Sequence, residues 1–372
     1  MSRVIVLLLI CFCLSSCGDQ PAPDDFDLNA ALGGVAERGF ERAVEPRVFT
    51  FPQDHGMHPG FRNEWWYVTG NMAAEDGRRF GYQVTFFRIA MSPLSDKPSS
   101  ASSWATNQLW MAHVALTDIQ GRQHFHDQRF ARGAAGLAGQ QDQPFRVWLE
   151  DWQIVGSAEA AFPWAVTVKT RDFSLNLQLF PHKPVVLQGD GGLSQKSAGA
   201  GNASYYYSLT RLAGSGELYL GQQRFVVNGL SWLDREWSTS VLADDQVGWD
   251  WFSLQLNDGH DLMFYQLRQA SGVADENSAG KWVLPDGRTT SLHRQDVQLE
   301  PLREWCHEGG GCYPVQWAVD LPAQDLSLLV EAVVDDQLMQ TGITYWEGAV
   351  QVTDAKTGTV LGRGYLEMSG YE

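Results

Sequence analysis

Along most of this chain, apolar and polar residues alternate with a period of two. Phe80, Tyr82, Val84 and Phe86 are separated by Gly81, Gln83 and Thr85, and Phe173, Leu175, Leu177 and Leu179 by Ser174, Asn176 and Gln178. Period two with one apolar face predicts half-buried antiparallel strands. Asp76-Gly77, Asp258-Gly259 and Asp286-Gly287 punctuate these runs as hairpin turns. No long stretch carries the apolar spacing of an amphipathic helix. The pattern predicts an all-β chain whose strands close into sandwiches or barrels, because closure removes unpaired edges.

The strand pattern occurs twice. Glu64-Trp65-Trp66-Tyr67 leads through Asp76-Gly77 to the run from Phe80 to Arg88, and Trp249-Asp250-Trp251-Phe252 leads through Asp258-Gly259 to the run from Leu262 to Arg268. Later in each half an aromatic strand precedes a glycine-rich return: Tyr205-Tyr206-Tyr207 to Gly216, and Tyr345-Trp346-Glu347-Gly348 to Gly364. At 372 residues the chain is long for one core, and two copies of one β-unit account for it. The boundary is expected near Leu220 to Phe225, which gives an N-terminal domain over residues 48–222 and a C-terminal domain over 223–372.

The first residues follow a different pattern. Arg3 precedes an apolar run from Val4 to Leu14, which is too short for a membrane-spanning helix of about 20 residues. One positive charge, a short apolar run and small residues describe a secretory signal peptide. Leu14-Ser15-Ser16-Cys17 resembles the bacterial lipobox, which implies that residues 1–17 form a lipoprotein signal and that Cys17 receives a lipid. Residues 18–47, with Asp19, Pro21, Pro23, Asp24 and Asp25 ahead of the small-residue stretch Ala30 to Gly34, are read as a tether. The expected address is the periplasmic side of a bacterial envelope, with Gly18 compatible with the outer membrane.

Charge and cysteines agree with that address. The formal charge is -17, and losing Arg3 with the signal makes it -17 - 1 = -18. With no basic stripe, nucleic acid is not an expected partner. Nor would an acidic surface dock on anionic lipid, which leaves the lipid on Cys17 as the expected membrane attachment. Cys11 and Cys13 leave with the signal and Cys17 is taken up by the lipid, so of five cysteines only Cys306 and Cys312 remain free to pair, flanking Gly309-Gly310-Gly311. In an oxidising compartment a disulfide is the favoured reading. A metal site including His307 is the alternative, but it falls short of the usual four ligands.

The common catalytic signatures are missing: there is no G-x-S-x-G elbow, no H-E-x-x-H, no phosphate loop and no dinucleotide fingerprint. His55-Gly56-Met57-His58 and His124-Phe125-His126-Asp127 lack third and fourth ligands, so no metal is expected. Tryptophan stands out, with 15 residues against 11 tyrosines, gathered in segments that place a carboxylate beside large rings. On a strand Trp232, Asp234 and Glu236 share one face and Arg235 and Trp237 the other, while Arg62, Glu64 and Trp66 point one way. In one reading these aromatics fill barrel interiors and the acids pair with arginines at the rims. In the other they wall a pocket for a long apolar molecule, in which a carboxyl stays protonated near neutral pH and serves as a general acid.

Phe51-Pro52-Gln53-Asp54-His55-Gly56, Arg62-Asn63-Glu64-Trp65-Trp66-Tyr67-Val68-Thr69-Gly70 and Gly81-Tyr82-Gln83-Val84-Thr85-Phe86-Phe87-Arg88 resemble the AttH-like and carotenoid 1,2-hydratase family of lipocalin-like proteins. Asn202-Ala203-Ser204-Tyr205-Tyr206-Tyr207-Ser208, Trp232-Leu233-Asp234-Arg235-Glu236-Trp237, Gly248-Trp249-Asp250-Trp251-Phe252 and Tyr345-Trp346-Glu347-Gly348-Ala349-Val350 continue the likeness, which runs from about residue 48 to the C-terminus. The resemblance implies two consecutive lipocalin-like antiparallel β-barrel domains. It also implies one of several functions: cofactor-free hydration of an isoprenoid double bond, isomerisation, or the role of the exported members loosely labelled secreted hydrolases that accompany ABC-type export systems. The chain looks most like the exported group, which moves the expected ligand to an apolar molecule or lipid of the envelope.

For an enzyme of hydratase or isomerase type, Asp234 is the first candidate acid and Glu236 the second, with Asp250 and His55 in reserve. Glu64, Trp66, Trp232, Trp249, Trp251, Tyr206, Tyr345 and Trp346 are the candidate ligand-binding residues. For a carrier that exchanges an apolar ligand with an envelope transporter, the same tryptophans are walls only, housed in closed barrels. A scaffold with exposed aromatics that bind a sugar polymer or a protein is the third reading. Which face of each strand points inward decides among these assignments.

Overall fold

The computed structural model describes residues 38–371, apart from 97–101, 103, 241 and 244. The expected signal peptide, Cys17 and most of the expected tether lie outside the described residues. The first sheet contains β1 (Asn63–Ala74), β2 (Arg79–Ala90), β3 (Gln108–Asp118), β4 (Gln123–Arg132), β5 (Ala138–Gln141), β6 (Arg146–Leu149) and β7 (Trp152–Gly156). It continues with β8 (Trp164–Lys169), β9 (Phe173–Pro181), β10 (Val186–Leu187), β11 (Leu193–Gln195), β12 (Ala203–Leu220) and β13 (Gln223–Ser238). The second contains β14 (Gln246–Leu256), β15 (Asp261–Gln269), β16 (Ala279–Val283), β17 (Thr289–His293) and β18 (Gln298–Cys306). Its remaining strands are β19 (Cys312–Leu321), β20 (Leu326–Ala332), β21 (Leu338–Gln340), β22 (Thr344–Asp354) and β23 (Val360–Met368).

The chain is all-β, with two large antiparallel sheets that match two lipocalin-like barrel domains. Their strand orders repeat: β4-β3-β2-β1-β13-β12-β9-β8-β7 in the first sheet, and β17-β16-β15-β14-β23-β22-β20-β19-β18 in the second. The paired motifs of the sequence therefore occupy equivalent places, β1 with β14 and β12 with β22. The change of sheet does not fall at 222/223. That point is the turn between the two longest strands, and β13 stays in the first sheet, paired with β1 on one side and β12 on the other. Hydrophobic alternation marks strands but cannot say which sheet a strand joins. The expected tether is also shorter than 18–47. Ala43 is buried, the Glu41 amide bonds the Gly60 carbonyl, and Arg42 bonds Asn202, so residues 41–43 belong to the body.

Each barrel is packed with its own side chains. The first encloses Trp66, Trp110, Trp152, Trp164, Phe86 and Leu177, and the second Phe252, Phe264, Trp317, Trp346, Val350 and Leu366. The sheets meet through β1, β2, β12 and β13 on one side and β14, β15, β22 and β23 on the other. Gly81 faces the second sheet closely, and a Cβ there would stand 2.5 Å from the Ala349 methyl. Polar ties also cross: Asn71 Nδ2 donates to the Gly364 carbonyl at 3.1 Å, and the Gln255 amide to the carbonyls of Thr210 and Ser231. Lys183 and Arg211 clamp Asp261, which is fully buried. Cys306 and Cys312 are joined by a disulfide that closes the turn between β18 and β19.

Candidate functional site

Alternate residues of a strand point to opposite faces. Where the sheets meet, one face of each strand fills its own barrel and the other faces the opposite sheet. On β1, Trp66 and Val68 enter the first core while Trp65 and Tyr67 face outward, and on β14, Phe252 and Leu254 enter the second core while Trp249 and Trp251 face outward. Between these outward faces lies a cavity of about 100 Å³, several times the ~10–15 Å³ that one water needs. It belongs to neither barrel lumen. β13 contributes Asp234 and Glu236 to its wall, β12 Tyr206, and the second sheet Trp249, Trp251, Tyr345, Glu347 and Glu367.

Asp234 is held by three donors. The Trp232 indole N–H reaches Oδ1 at 2.7 Å, the Ser208 hydroxyl bonds the same oxygen, and the Tyr206 hydroxyl bonds Oδ2. The Trp251 indole N–H in turn donates to the Tyr206 oxygen at 3.1 Å, which turns that hydroxyl toward the carboxyl. Burial pushes the Asp234 carboxyl up to about 7, against the opposing pull of Ser208, Tyr206 and Trp232. Burial outweighs the hydrogen bonds because no cation stands among its partners.

Two residues along the same strand the arrangement differs. Glu236 accepts from Ser204 and from Lys196, whose ammonium is 3.1 Å away and lies 4.0 Å from the Tyr265 ring centroid. Burial works against the Lys196 charge, but Glu236 and Tyr265 outweigh it and hold the ammonium above its ordinary range. Across the cavity Glu347 and Glu367 stand directly opposite each other on β22 and β23. Burial, with a contribution from Asp234, pushes Glu367 up to about 7, although Trp249 donates to it at 2.8 Å. Burial and then Glu367 push Glu347 well above the carboxylate range. Tyr67 and Tyr345 oppose that shift only in part, and neither Glu347 oxygen completes a hydrogen bond.

Of the sequence candidates, Asp234, Glu236, Tyr206, Trp249, Trp251 and Tyr345 line the cavity, and Trp232 supports it through Asp234. The other five neither line it nor touch Asp234. Glu64 faces the mouth of the first barrel, bridged by Arg88 at 2.5 Å and Arg235 at 2.7 Å. These arginines outweigh its burial and hold the carboxyl well below the usual range. Trp66 fills the first core beneath the Arg235 guanidinium, 3.7 Å from the ring centroid. Trp346 fills the second core and donates to the Asp335 carbonyl. Asp250, pushed up to about 6 by burial, points away from the cavity to Arg268 and Tyr371. His55 bonds the Tyr207 hydroxyl at 2.6 Å among the rings of Phe51, Phe162 and Trp164, where burial and then Arg235 push it down to about 3.

Sequence reasoning missed Glu347, Glu367, Tyr67, His113 and Lys196. Glu347 was within reach: it lies two residues from Tyr345 and therefore shares its face, whereas Trp346 between them takes the other. His113, which bonds the Tyr345 hydroxyl at 2.8 Å, and Lys196 carried no local signal.

The family model described as AttH-like matches residues 42–371. The chain belongs to the AttH-like family. A crystal structure from Nitrosomonas europaea, provisionally described as AttH, is 35% identical, with a TM-score of 0.79 over 90% of this chain and 100% of that one. Kievitone hydratase from Nectria haematococca is 12% identical, with a TM-score of 0.64 over 89% of this chain and 98% of that one, a likeness of fold alone. No curated protein matches the chain. The AttH-like match begins within the segment expected to be a tether, in agreement with the packing of Ala43.

Proposed function

We propose that this AttH-like chain binds an apolar, isoprenoid- or lipid-like molecule between its two sheets, and that Asp234 protonates it in a cofactor-free hydration or isomerisation. The observation that carries this reading is a carboxyl in the wall of an aromatic cavity, positioned by three donors and pushed up to about 7. General acids work best when their pKa lies near the working pH. Asp234 gives its proton to one alkene carbon, and the charge left on the neighbouring carbon is stabilised by the aromatic faces of the wall. Water bonds to that carbon and its surplus proton returns to the Asp234 carboxylate, so the net change is addition of one water. In isomerisation the carbocation instead gives a proton from an adjacent carbon to the Asp234 carboxylate, which restores the acid and moves the double bond. Kievitone hydratase shares the two-sheet fold, so the architecture accommodates hydratase chemistry; the residues proposed here are this chain's own.

The test is incubation with isoprenoid alkenes in deuterated, oxygen-18 water. Hydration places both labels in the product and isomerisation places deuterium only, and Asp234→Asn lowers the rate of either by about 10²–10⁴-fold. Incorporation at an undiminished rate in Asp234→Asn contradicts the assignment.

The mostly aromatic wall also favours a second reading, in which the cavity carries the ligand unchanged. On that reading an anchor on Cys17 would hold the carrier on the periplasmic side of the envelope, near an ABC-type export system. Native mass spectrometry of protein purified from its own membrane separates the two: an unaltered co-purifying lipid supports the carrier.

A further inference from the structure

Glu347 is 1% exposed, and both its carboxylate oxygens are without hydrogen-bond partners. The Tyr67 hydroxyl beside it, which pulls weakly on that carboxyl, is also buried and completes no hydrogen bond. Buried polar groups are almost always satisfied, so two adjacent exceptions in the wall of a cavity point to something the cavity receives. Glu367 faces Glu347 from β23, and the rings of Tyr67, Trp251 and Tyr345 surround them.

Lys196, elsewhere in the cavity wall, shows what such a combination holds. There the Lys196 ammonium rests between the Glu236 carboxylate and the rings of Tyr265 and Tyr206, 4.0 and 5.1 Å from their centroids. Carboxylate and aromatic faces together make a cation site. Around Glu347 the same two elements are present, and no lysine or arginine of the described residues bonds its carboxyl. We infer that Glu347 and the rings around it form a second cation site, and that its occupant is the charged nitrogen of an apolar organic amine.

The chemistry favours an ammonium over the other cations. A metal ion needs several ligands, and among the described residues no group of three or more His, Cys, Asp and Glu is placed to share one. An ammonium carries donors for Glu347, while its hydrocarbon body suits the aromatic wall. Before binding, Glu347 stays neutral because burial and Glu367 both oppose its charge, and Tyr67 and Tyr345 offset this only partly. A bound ammonium reverses that balance. The complex therefore forms with release of a proton from Glu347 at neutral pH.

This inference rests on the cavity being the ligand site, as proposed above, and the experiment separates the two. Isothermal titration calorimetry at pH 7.5 compares N,N-dimethylgeranylamine, geraniol and geranic acid, which present a cation, a neutral group and an anion on one skeleton. The amine is expected to bind about tenfold or more tighter than geraniol, and geranic acid weakest. Repeating the amine titration in two buffers of different ionisation enthalpy is expected to show release of about one proton. Glu347→Gln, which keeps the shape and removes the charge, is expected to abolish both the preference and the proton release while geraniol still binds. Geraniol binding as tightly as the amine, or a preference that persists in Glu347→Gln, overturns the ammonium site and leaves the cavity reading standing. Failure of all three to bind overturns both. The buffer comparison on the unmodified protein needs no variant to fold.

Discussion

Glu64 and Asp234 are buried carboxyls on adjacent paired strands, β1 and β13, yet they end in opposite states. Glu64, on the barrel side, lies between Arg88 and Arg235 and is held ionised well below the usual carboxylate range. Asp234, on the side of the second sheet, has hydroxyl and indole donors but no cation bonded to it, and is pushed up to about 7. Burial is common to both. What differs is the presence of two guanidinium groups, so the structural acid and the candidate catalytic acid are told apart by their partners.

Exchange of each acid for its amide should therefore give opposite phenotypes. Asp234→Asn is expected to lower turnover of an accepted substrate by about 10²–10⁴-fold while the chain still folds, measured by product formation and circular dichroism. Glu64→Gln leaves Arg88 and Arg235 buried without their counter-charge and is expected to destabilise by about 3–5 kcal/mol in urea unfolding. A Glu64→Gln chain of normal stability would erase the contrast.

The pH dependence of stability sharpens it further. Asp234 and Glu367 reach about 7 in the folded chain, above their unfolded values of about 4. The folded state thus binds more protons than the unfolded one between these limits, and stability falls as pH rises through that window. Asp234→Asn should remove its share, on the order of a few kcal/mol, and flatten the profile. Glu64 acts in the other direction: its folded value is depressed, so its contribution is present above its unfolded value of about 4 and is lost only at lower pH. The smallest effect is expected from Trp232→Phe. Losing the indole donor weakens the ionised form of Asp234, so the alkaline limb of the activity profile should move upward by about one unit or less.

The fold was legible because period two, Asp-Gly turns and the repeated aromatic segments are local signals, and they located the β1–β2 and β14–β15 hairpins. Legibility stopped where a decision was non-local. Nothing in the alternation of β13 says that it closes onto β1 rather than opening a new sheet. The same limit governed the site. Glu64, Trp66 and Trp346 sit beside the same kinds of neighbours as Asp234, Trp251 and Glu347, and only the direction of the barrel interior separates the two groups. Lys196 meets Glu236 across 40 positions in sequence, a contact that tertiary structure alone creates.

Whether Asp234 carries a proton at neutral pH is measured by carbon-13 NMR titration of the side-chain carboxyls, with Asp234→Asn supplying the assignment. A midpoint near 7 for Asp234, with Glu64 remaining ionised below the ordinary carboxylate range, is the result expected. A midpoint for Asp234 of about 4, the ordinary aspartate value, would contradict it.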